Sequence, residues 1–329
     1  MNVFRASAPV RLDLAGAWTD VAPFATEVGG IVVNAAIGLR AHAEVITGGD
    51  RYFLRSDDLD EQADFASPQE FPRDGRLALL KAALRLSDPG PCRLRTWSEA
   101  PPGSGLGTSG AMDVALIAAL DAARGVHHTH VKVAEAGYRL ETLEAEHAGG
   151  KQDQYAAALG GFNRLDFGDH GVGVTPLELN EAFADDLARH IIICYTGTSR
   201  VSGDTITRVM SAYQRGERQV VDALRELVAI ADRMTDALLS ADLAAIGSLL
   251  SANWAQQQRL DHGMCTPDMA RLESAMTSVG AMGGKAAGAG AGGSMFFIVP
   301  DVAKAEAAAT ACGAQVLPLK WASQGIIFR

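Results

Sequence analysis

The segment PPGSGLGTSG at residues 101–110 lies between a predicted strand near Cys92 to Trp97 and a predicted Ala-rich helix from about Ala111 to Arg124. Its glycines let backbone N–H groups turn inward toward an anion, and the helix N-terminus adds unpaired N–H groups and a positive dipole end. Three hydroxyl side chains could bond phosphate oxygens or ligate Mg²⁺. The predicted phosphate-binding residues are Pro102, Gly103, Ser104, Gly105, Leu106, Gly107, Thr108, Ser109 and Gly110.

Two other interpretations of this loop remain open. The letters contain GxGxxG at Gly105, Gly107 and Gly110, which is typical of nicotinamide-dependent dehydrogenases. The Pro-Pro start does not suit the tight turn of that fingerprint, and the same spacing recurs among the glycines at 288–293. An ordinary glycine-rich connection is the other alternative. A Walker A loop is excluded, because Ala286 follows the glycine-lysine pair at 284–285.

Patterns on both sides of this loop predict a mixture of strands and helices. Toward the N-terminus, apolar runs at 31–37 and 39–46 predict a hairpin that turns at Gly38. Long amphipathic helices dominate after Tyr195. The predicted helices are 77–86, 131–147, 204–240 with an interruption left open, 243–260, 268–279 and 301–311; further strands are predicted at 295–299 and 325–328. A boundary near 185–200 is compatible with two domains.

The bulk composition indicates a globular protein and excludes some partners. The chain has 329 residues, 48% of them apolar, and a formal net charge of -10, which argues against nucleic acid or an anionic membrane surface as partner. Its four cysteines are scattered, so neither a zinc ribbon nor a disulfide framework is predicted. No apolar run reaches the roughly 20 residues of a membrane span. We therefore expect a cytoplasmic protein; a homodimer is left open.

Three segments together resemble the GHMP kinases, the superfamily of galactokinase, homoserine kinase, mevalonate kinase and phosphomevalonate kinase. The loop at 101–110 is similar to their phosphate-binding motif, residues 8–20 (APVRLDLAGAWTD) to their acceptor motif, and residues 285–294 (KAAGAGAGGS) to their third motif. The resemblance implies a two-lobed α+β fold. Residues 1–190 would form a ribosomal-protein-S5-like α/β domain and residues 191–329 a ferredoxin-like α+β domain.

The middle of the chain narrows the resemblance to the sugar kinases, and most of all to the D-glycero-D-manno-heptose 7-phosphate kinases. The segments that carry it are GGKQDQYAAALGGFN at 149–163 and YTGTSR at 195–200. Galactokinases have Glu-His where this chain has Ala17 and Trp18, so galactose is not expected as substrate. Ala17 and Ala291 also stand where the heptose kinases have glycine.

The resemblance implies roles for the catalytic and metal-binding residues. Asp153 matches the catalytic aspartate that takes the acceptor proton, and it follows a glycine turn from which a side chain can point into a cleft; a helix-capping aspartate is the alternative. Arg11 would lie beside Asp153 and stabilise negative charge as it develops. Ser109 and Glu141 are the predicted Mg²⁺ ligands, with Glu144 and Glu146 as alternatives to Glu141.

The implied activity is ATP-dependent phosphorylation of the anomeric hydroxyl of a sugar phosphate, with heptose 7-phosphate converted to the 1,7-bisphosphate for nucleotide-activated heptose of surface polysaccharide. Fucose or another hexose is an alternative acceptor, and a non-catalytic sensor that binds nucleotide and sugar is an alternative of another class. Lys151 and Arg200 are the candidates to hold the distant phosphate, and for Thr19 and Asp20 a buried capping role is the alternative. The predicted substrate-binding residues are Asp13, Thr19, Asp20, Lys151, Gln152, Arg200, Gly290 and Gly292.

Overall fold

The computed structural model describes residues 1–72, 75–144, 149–197 and 202–328, with side chains described except at 143–144 and 202–204. The strands are β1 (Val3–Ala15), β2 (Gly30–Thr47), β3 (Tyr52–Ser56), β4 (Glu61–Phe65), β5 (Cys92–Ser98), β6 (Phe162–Gly168), β7 (Gly171–Pro176), β8 (Ile191–Tyr195), β9 (Gly283–Ala286), β10 (Ser294–Ile298), β11 (Gln315–Leu317) and β12 (Ile327–Phe328). The helices are α1 (Phe24–Glu27), α2 (Ala78–Leu86), α3 (Thr108–Ala123), α4 (His130–Arg139), α5 (Gln152–Leu159), α6 (Glu181–His190), α7 (Ser202–Gln214), α8 (Arg218–Leu239), α9 (Leu243–Leu260), α10 (Pro267–Ser278) and α11 (Val302–Ala311), with a 3-10 turn at Pro68–Glu70 and a π-helix at Leu140–Glu144.

The larger sheet has the strand order β12-β1-β2-β5-β3-β4, and β6 extends from β2 to β7. Its pairings are antiparallel except for β3 beside β5. In β1 every residue from Ala6 to Ala15 is buried, although successive side chains point to opposite faces. Both faces of this strand are therefore covered, and α3 and α8 both contact β1 and β2.

The predicted hairpin at 31–46 is wrong, because residues 30–47 form the single strand β2. Gly38 lies at an irregularity rather than a turn: Val10 pairs with Ile37 while Pro9 pairs with Arg40, so two residues of β2 are left out of the ladder. The bulge lets one strand serve two partners, β6 along its first part and β5 along its last. Continuous apolar sequence could not distinguish a bulge from a turn.

The second sheet is antiparallel, with the order β11-β8-β10-β9, and its strands come from residues 191–317. Afterwards the chain returns to the first sheet, where β12 pairs with β1. The mixture of helices and antiparallel strands is an α+β fold and is not the parallel sheet of a dinucleotide-binding domain, so the dehydrogenase interpretation is wrong. In the described ranges, we find no helix with the length and apolar character of a membrane span.

Most predicted helices form within a few residues of their expected bounds. The prediction at 204–240 resolves into α7 and α8. The prediction at 131–147 becomes α4 and then the π-helix at Leu140–Glu144, and residues 145–148 lie outside the described part. Helix α3 is buried from Gly110 to Asp121. A helix covered on all sides cannot shift easily, so its N-terminus is a fixed element.

Candidate active site

Arg11 of β1 and Asp153 of α5 form an ion pair between segments 142 positions apart. The Arg11 Nε and Nη2 atoms each lie 2.8 Å from Asp153 Oδ1. Arg11 is 4% exposed, whereas the Asp153 side chain is 27% exposed. Because both guanidinium contacts go to one oxygen, the other carboxylate oxygen stays available to accept a proton from a ligand.

The phosphate-loop candidate packs directly on this pair. Arg11 Nη1 donates to the carbonyls of Gly105 and Ala287, both at 2.8 Å. A Cβ built on Gly107 would lie 3.1 Å from Asp153 Cγ and 3.2 Å from Arg11 Cγ. The acceptor motif, the phosphate loop, the third glycine motif and the segment at 149–163 therefore meet at one arginine.

The loop ends at the N-terminus of α3, where Gly107 adopts a left-handed φ of 75°. The first backbone hydrogen bond of α3 runs from the Ala111 N–H to the Gly107 carbonyl. The amides of Thr108, Ser109 and Gly110 precede it and have no helical carbonyl to bond, which leaves them for an anion. Ser104, Thr108 and Ser109 line the same cleft. The predicted phosphate site is thus a helix N-terminus that opens into the cleft beside Asp153.

The third glycine segment closes on the phosphate loop through backbone contacts. The Ser294 N–H donates to the Ser104 carbonyl at 2.7 Å, and a Cβ on Gly288 would lie 2.6 Å from the Gly105 carbonyl oxygen. Gly290 packs instead against Met264 and Trp254, and neither it nor Gly292 lines the cleft within the described residues. The residues of this segment that line the cleft are Gly288 and Ala289 rather than the predicted Gly290 and Gly292.

Replacing Gly288 with Ala is expected to push the two glycine loops apart, because the new methyl group would meet a backbone carbonyl that cannot rotate away. We expect the KM for ATP to rise about tenfold, because forcing an extra methyl group into a packed region costs about 1–3 kcal/mol. Gly168→Ala is the matched control, since nothing lies within 4 Å of its Cβ position. Equal KM values for the two variants would contradict the contact.

The two predicted Mg²⁺ ligands, Ser109 and Glu141, lie together in the cleft. Ser109 Oγ donates to Glu141 Oε1 at 2.5 Å, and both residues line the cleft. In the described ranges, no group of three or more His, Cys, Asp or Glu side chains is arranged to hold a metal ion. A hydroxyl and a single carboxylate fit Mg²⁺, which takes few protein ligands and completes its shell with phosphates and water. Glu146 lies outside the described residues, and the side chain of Glu144 is not described.

Asp20 lies in the cleft wall beside the start of α5. Its Oδ2 accepts from the Gln152 N–H at 3.1 Å, and the carboxylate lies so close to Gly150 that a Cβ there would be 1.9 Å away. Burial, with Asp153 and Asp13 nearby, raises the pKa of Asp20 to about 6, although the Gln152 hydrogen bond opposes the shift. Asp20 therefore caps the helix that carries Asp153 as well as lining the cleft.

A buried acid with a raised pKa stabilises the fold below its unfolded pKa of 3.8, and this stabilisation is lost as the pH rises through about 6. Asp20→Asn does not titrate. Relative to wild type, we expect the variant to gain up to about 3 kcal/mol of unfolding free energy between about pH 4 and pH 7. Urea unfolding of both proteins across this range measures the gain, and a difference that stays constant with pH would contradict it.

Two residues of the acceptor motif are used by the fold itself. Thr19 is fully buried, and its hydroxyl bonds the carbonyls of Gly16 and Ile31. Asp13 is also fully buried and pairs with Lys285 of β9, whose ammonium in addition donates to the backbone carbonyls of Asp13 and Ala286. Neither lines the cleft within the described residues. Both fix the acceptor motif from beneath, and direct substrate contact by them stays an untested prediction.

Of the two cations predicted to hold a distant phosphate, Lys151 does not line the cleft. The Lys151 ammonium lies 3.0 Å from both carboxylate oxygens of Glu135, and 5.0 Å from the ring centroid of Tyr138. It lines a neighbouring cavity of about 650 Å³. Arg200 lies outside the described residues. Gln152 does line the cleft, and its Oε1 has no hydrogen-bond partner in the described part of the chain.

The cleft has a volume of about 270 Å³. Eight of its lining residues were not among the predicted site residues: Ala17, Trp18, Val21, Gly149, Gly150, Ile206, Gly288 and Ala289. Trp18 is buried at a left-handed φ of 81°, an uncommon conformation for a bulky residue. The pattern of α7 showed an amphipathic helix but not which of its apolar residues would face a cleft. Ala291, which interrupts the glycine run, likewise adopts a left-handed φ of 61°.

Two family models match this chain, GHMP kinases N terminal domain at residues 77–161 and GHMP kinases C terminal at residues 234–317, together about half of its length. The chain belongs to the GHMP kinase family. It is therefore a phosphotransferase, and the family implies ATP as the phosphate donor.

Among individual proteins, the chain is similar to D-glycero-alpha-D-manno-heptose 7-phosphate kinase of Campylobacter jejuni, with 29% identity over 92% of this chain and 91% of that one. The crystal structure of a D-glycero-D-manno-heptose 1-phosphate kinase from Bacteroides thetaiotaomicron superposes with a TM-score of 0.83 and 26% identity, over 100% of this chain and 99% of the other. The L-fucokinase/L-fucose-1-P guanylyltransferase of Bacteroides fragilis is 27% identical over 89% of this chain and 34% of that protein.

Proposed function

We propose that this protein transfers the γ-phosphate of ATP to the anomeric hydroxyl of a sugar phosphate, with D-glycero-D-manno-heptose 7-phosphate as the acceptor. The observation that carries the proposal is the Arg11–Asp153 pair held against Gly105 and Gly107 of the phosphate loop. This contact supports the proposal that the Asp153 carboxylate and the phosphate-binding site share one cleft. The similarity to a heptose 7-phosphate kinase along 92% of the chain supports the choice of acceptor.

The proposed reaction assigns one step to each group. Asp153 accepts the proton of the acceptor hydroxyl while that oxygen bonds to the γ-phosphorus, and the bond from this phosphorus to the bridging oxygen of ADP breaks. The amides at the start of α3 stabilise the charge on the phosphate oxygens, and Arg11 stabilises the Asp153 side of the site. Alignment by fixed elements supplies most of the expected acceleration.

Mg²⁺ is the proposed metal, and Ser109 and Glu141 would hold it. When bound, it would neutralise phosphate charge. The chain's own contribution is to place a hydroxyl and a carboxylate oxygen at the N-terminus of α3, next to the amides that face the phosphates.

A second candidate acceptor is an unphosphorylated 6-deoxy sugar such as fucose. Among the described residues that line the cleft, Arg11 is the single cation, and it already bonds Asp153. Ala17, Trp18, Val21 and Ile206 give the cleft an apolar wall that would suit a methyl group. The similarity to an L-fucokinase over 89% of this chain points the same way.

A panel of acceptors with MgATP, with ADP release as readout, separates these candidates. We expect heptose 7-phosphate to give a kcat/KM at least about tenfold above that of fucose and of heptose without phosphate, since a hydrogen bond to a charged group contributes about 1.5–3 kcal/mol. A preference for fucose would replace the heptose proposal. Binding of ATP and sugar without ADP release above background would instead favour the sensor interpretation. Homodimer formation and cytoplasmic location stay predictions that sedimentation and fractionation can test.

A further inference from the structure

Beneath the proposed metal ligands lies a polar pair to which neither the fold prediction nor the proposed reaction assigns a role. Gln154 of α5 and Asp113 of α3 are both fully buried. The Gln154 Nε2 atom donates to Asp113 Oδ2 at 3.2 Å and to Glu141 Oε2 at 2.5 Å. Glu141 is thus held on one oxygen by Gln154 and on the other by Ser109.

The hydrogen bonds of this pair are incomplete unless Asp113 carries a proton. Within the described part of the chain, Asp113 Oδ1 and Gln154 Oε1 are both buried without a partner. Both atoms are acceptors when Asp113 is ionised, and unsatisfied buried acceptors are costly. A protonated Asp113 has one O–H donor, and the Gln154 carbonyl oxygen can accept it, so a single proton can satisfy both atoms.

The electrostatic surroundings agree with a neutral Asp113. Burial is the largest cause that raises the pKa of Asp113 well above its ordinary value, and the Glu141 and Asp153 carboxylates raise it further, while the hydrogen bond from Gln154 opposes them. No cation contact to Asp113 appears in the described residues. An ionised Asp113 would be a second negative charge close to Glu141, and the two carboxylates would compete for the Gln154 amide.

Close packing holds the pair in place. Gly137 of α4 lies against it, since a Cβ at this position would be 3.3 Å from both Asp113 Cβ and Gln154 Cγ. The π-helix that follows α4 carries Glu141 over the same site. Helices α3, α4 and α5 therefore meet around one acid and one amide.

We propose that Asp113 and Gln154 form a neutral acid–amide pair that orients the Glu141 carboxylate toward the metal of the metal–nucleotide complex. The inference rests on the proposed function only in taking Glu141 as a metal ligand. Asp113 and Gln154 are positioning residues, because neither lines the cleft in the described part of the chain. Groups that orient a metal ligand typically change metal affinity about 10–100-fold when they are removed.

The test measures Mn²⁺ binding by electron paramagnetic resonance with a non-hydrolysable ATP analogue, and needs no sugar. Gln154→Met and Asp113→Leu are expected to weaken Mn²⁺ binding about tenfold or more. Asp113→Asn is expected to bind within about twofold of wild type, because its amide can donate to Gln154 Oε1 and its carbonyl can accept from Gln154 Nε2. Asp121→Asn is the control: a buried aspartate of the same helix, about two turns beyond Asp113, that is bonded to Ser87 and His128 instead of Gln154.

Thermal unfolding of each variant separates loss of structure from loss of metal binding. If Asp113→Leu fails to fold, Gln154→Met and Asp113→Asn decide the matter. Mn²⁺ affinity unchanged in Gln154→Met would overturn the role of the pair. Affinity lost in Asp113→Asn as strongly as in Gln154→Met would show that the charge of Asp113 is needed, which overturns the neutral pair. If no acceptor in the sugar panel is phosphorylated, the proposed reaction is wrong. The Mn²⁺ binding results would still test the acid–amide pair, because they need no sugar.

Discussion

Asp153→Asn is expected to lower kcat at least about 10³-fold, since a positioned general base contributes roughly 10²–10⁴-fold. The amide keeps the shape of the side chain and an oxygen for Arg11, but it cannot take the acceptor proton. The phosphate loop does not depend on that charge for its contacts to Arg11, so ATP binding should remain within about threefold of wild type. Single-turnover kinetics and calorimetric titration with ATP measure the two quantities.

Asp169→Asn is the matched control for Asp153→Asn, because this aspartate is 70% exposed at the turn between β6 and β7. It should leave kcat unchanged. Turnover retained in Asp153→Asn would remove Asp153 from the mechanism, and the helix-capping alternative would then account for this residue.

Arg11→Lys is expected to have the second largest effect, although it keeps the positive charge. The guanidinium contacts Asp153 and two backbone carbonyls at once, and a single ammonium on a different stem cannot reproduce that fork. Leaving a buried carbonyl without a donor costs about 1–3 kcal/mol. We expect kcat to fall about 10²-fold and the KM for ATP to rise, because the same residue holds Gly105 and Ala287 together.

The control for Arg11→Lys is Arg164→Lys on β6, where the arginine pairs with Asp166 and Asp232 at the surface. Steady-state kinetics and thermal unfolding should show little change there, since exposed ion pairs contribute only about 0–1 kcal/mol. If Arg11→Lys retains wild-type kcat, the three-way contact at Arg11 is not needed for turnover.

The features that the sequence predicted well are those with local causes. A glycine loop followed by an Ala-rich apolar run defines both the start and the burial of α3. The glycine turn before Asp153 was also recognised, although the helix α5 that follows it was not predicted. The resemblance of residues 8–20 and 149–163 to GHMP kinases predicted that Arg11 would lie beside Asp153, and the structure contains this ion pair. Their catalytic roles stay predictions.

The features that escaped prediction depend on contacts between distant residues. From sequence, Asp13 of β1 was predicted to bind substrate. Its actual partner is Lys285 of β9, which is 272 positions away in the sequence. The Lys151 ammonium lies beside Glu135 because α4 and α5 pack together. Likewise, the buried Asp113 looks in sequence like any polar position of a helix, since its partner Gln154 lies on another helix.

A crystal structure of the protein with a non-hydrolysable ATP analogue and heptose 7-phosphate would measure the central geometry directly. We predict that the γ-phosphate lies against the amides at the start of α3, with the anomeric hydroxyl oxygen within about 3.2 Å of an Asp153 carboxylate oxygen. A nucleotide bound away from residues 103–110, or an acceptor hydroxyl that points away from Asp153, would contradict the account.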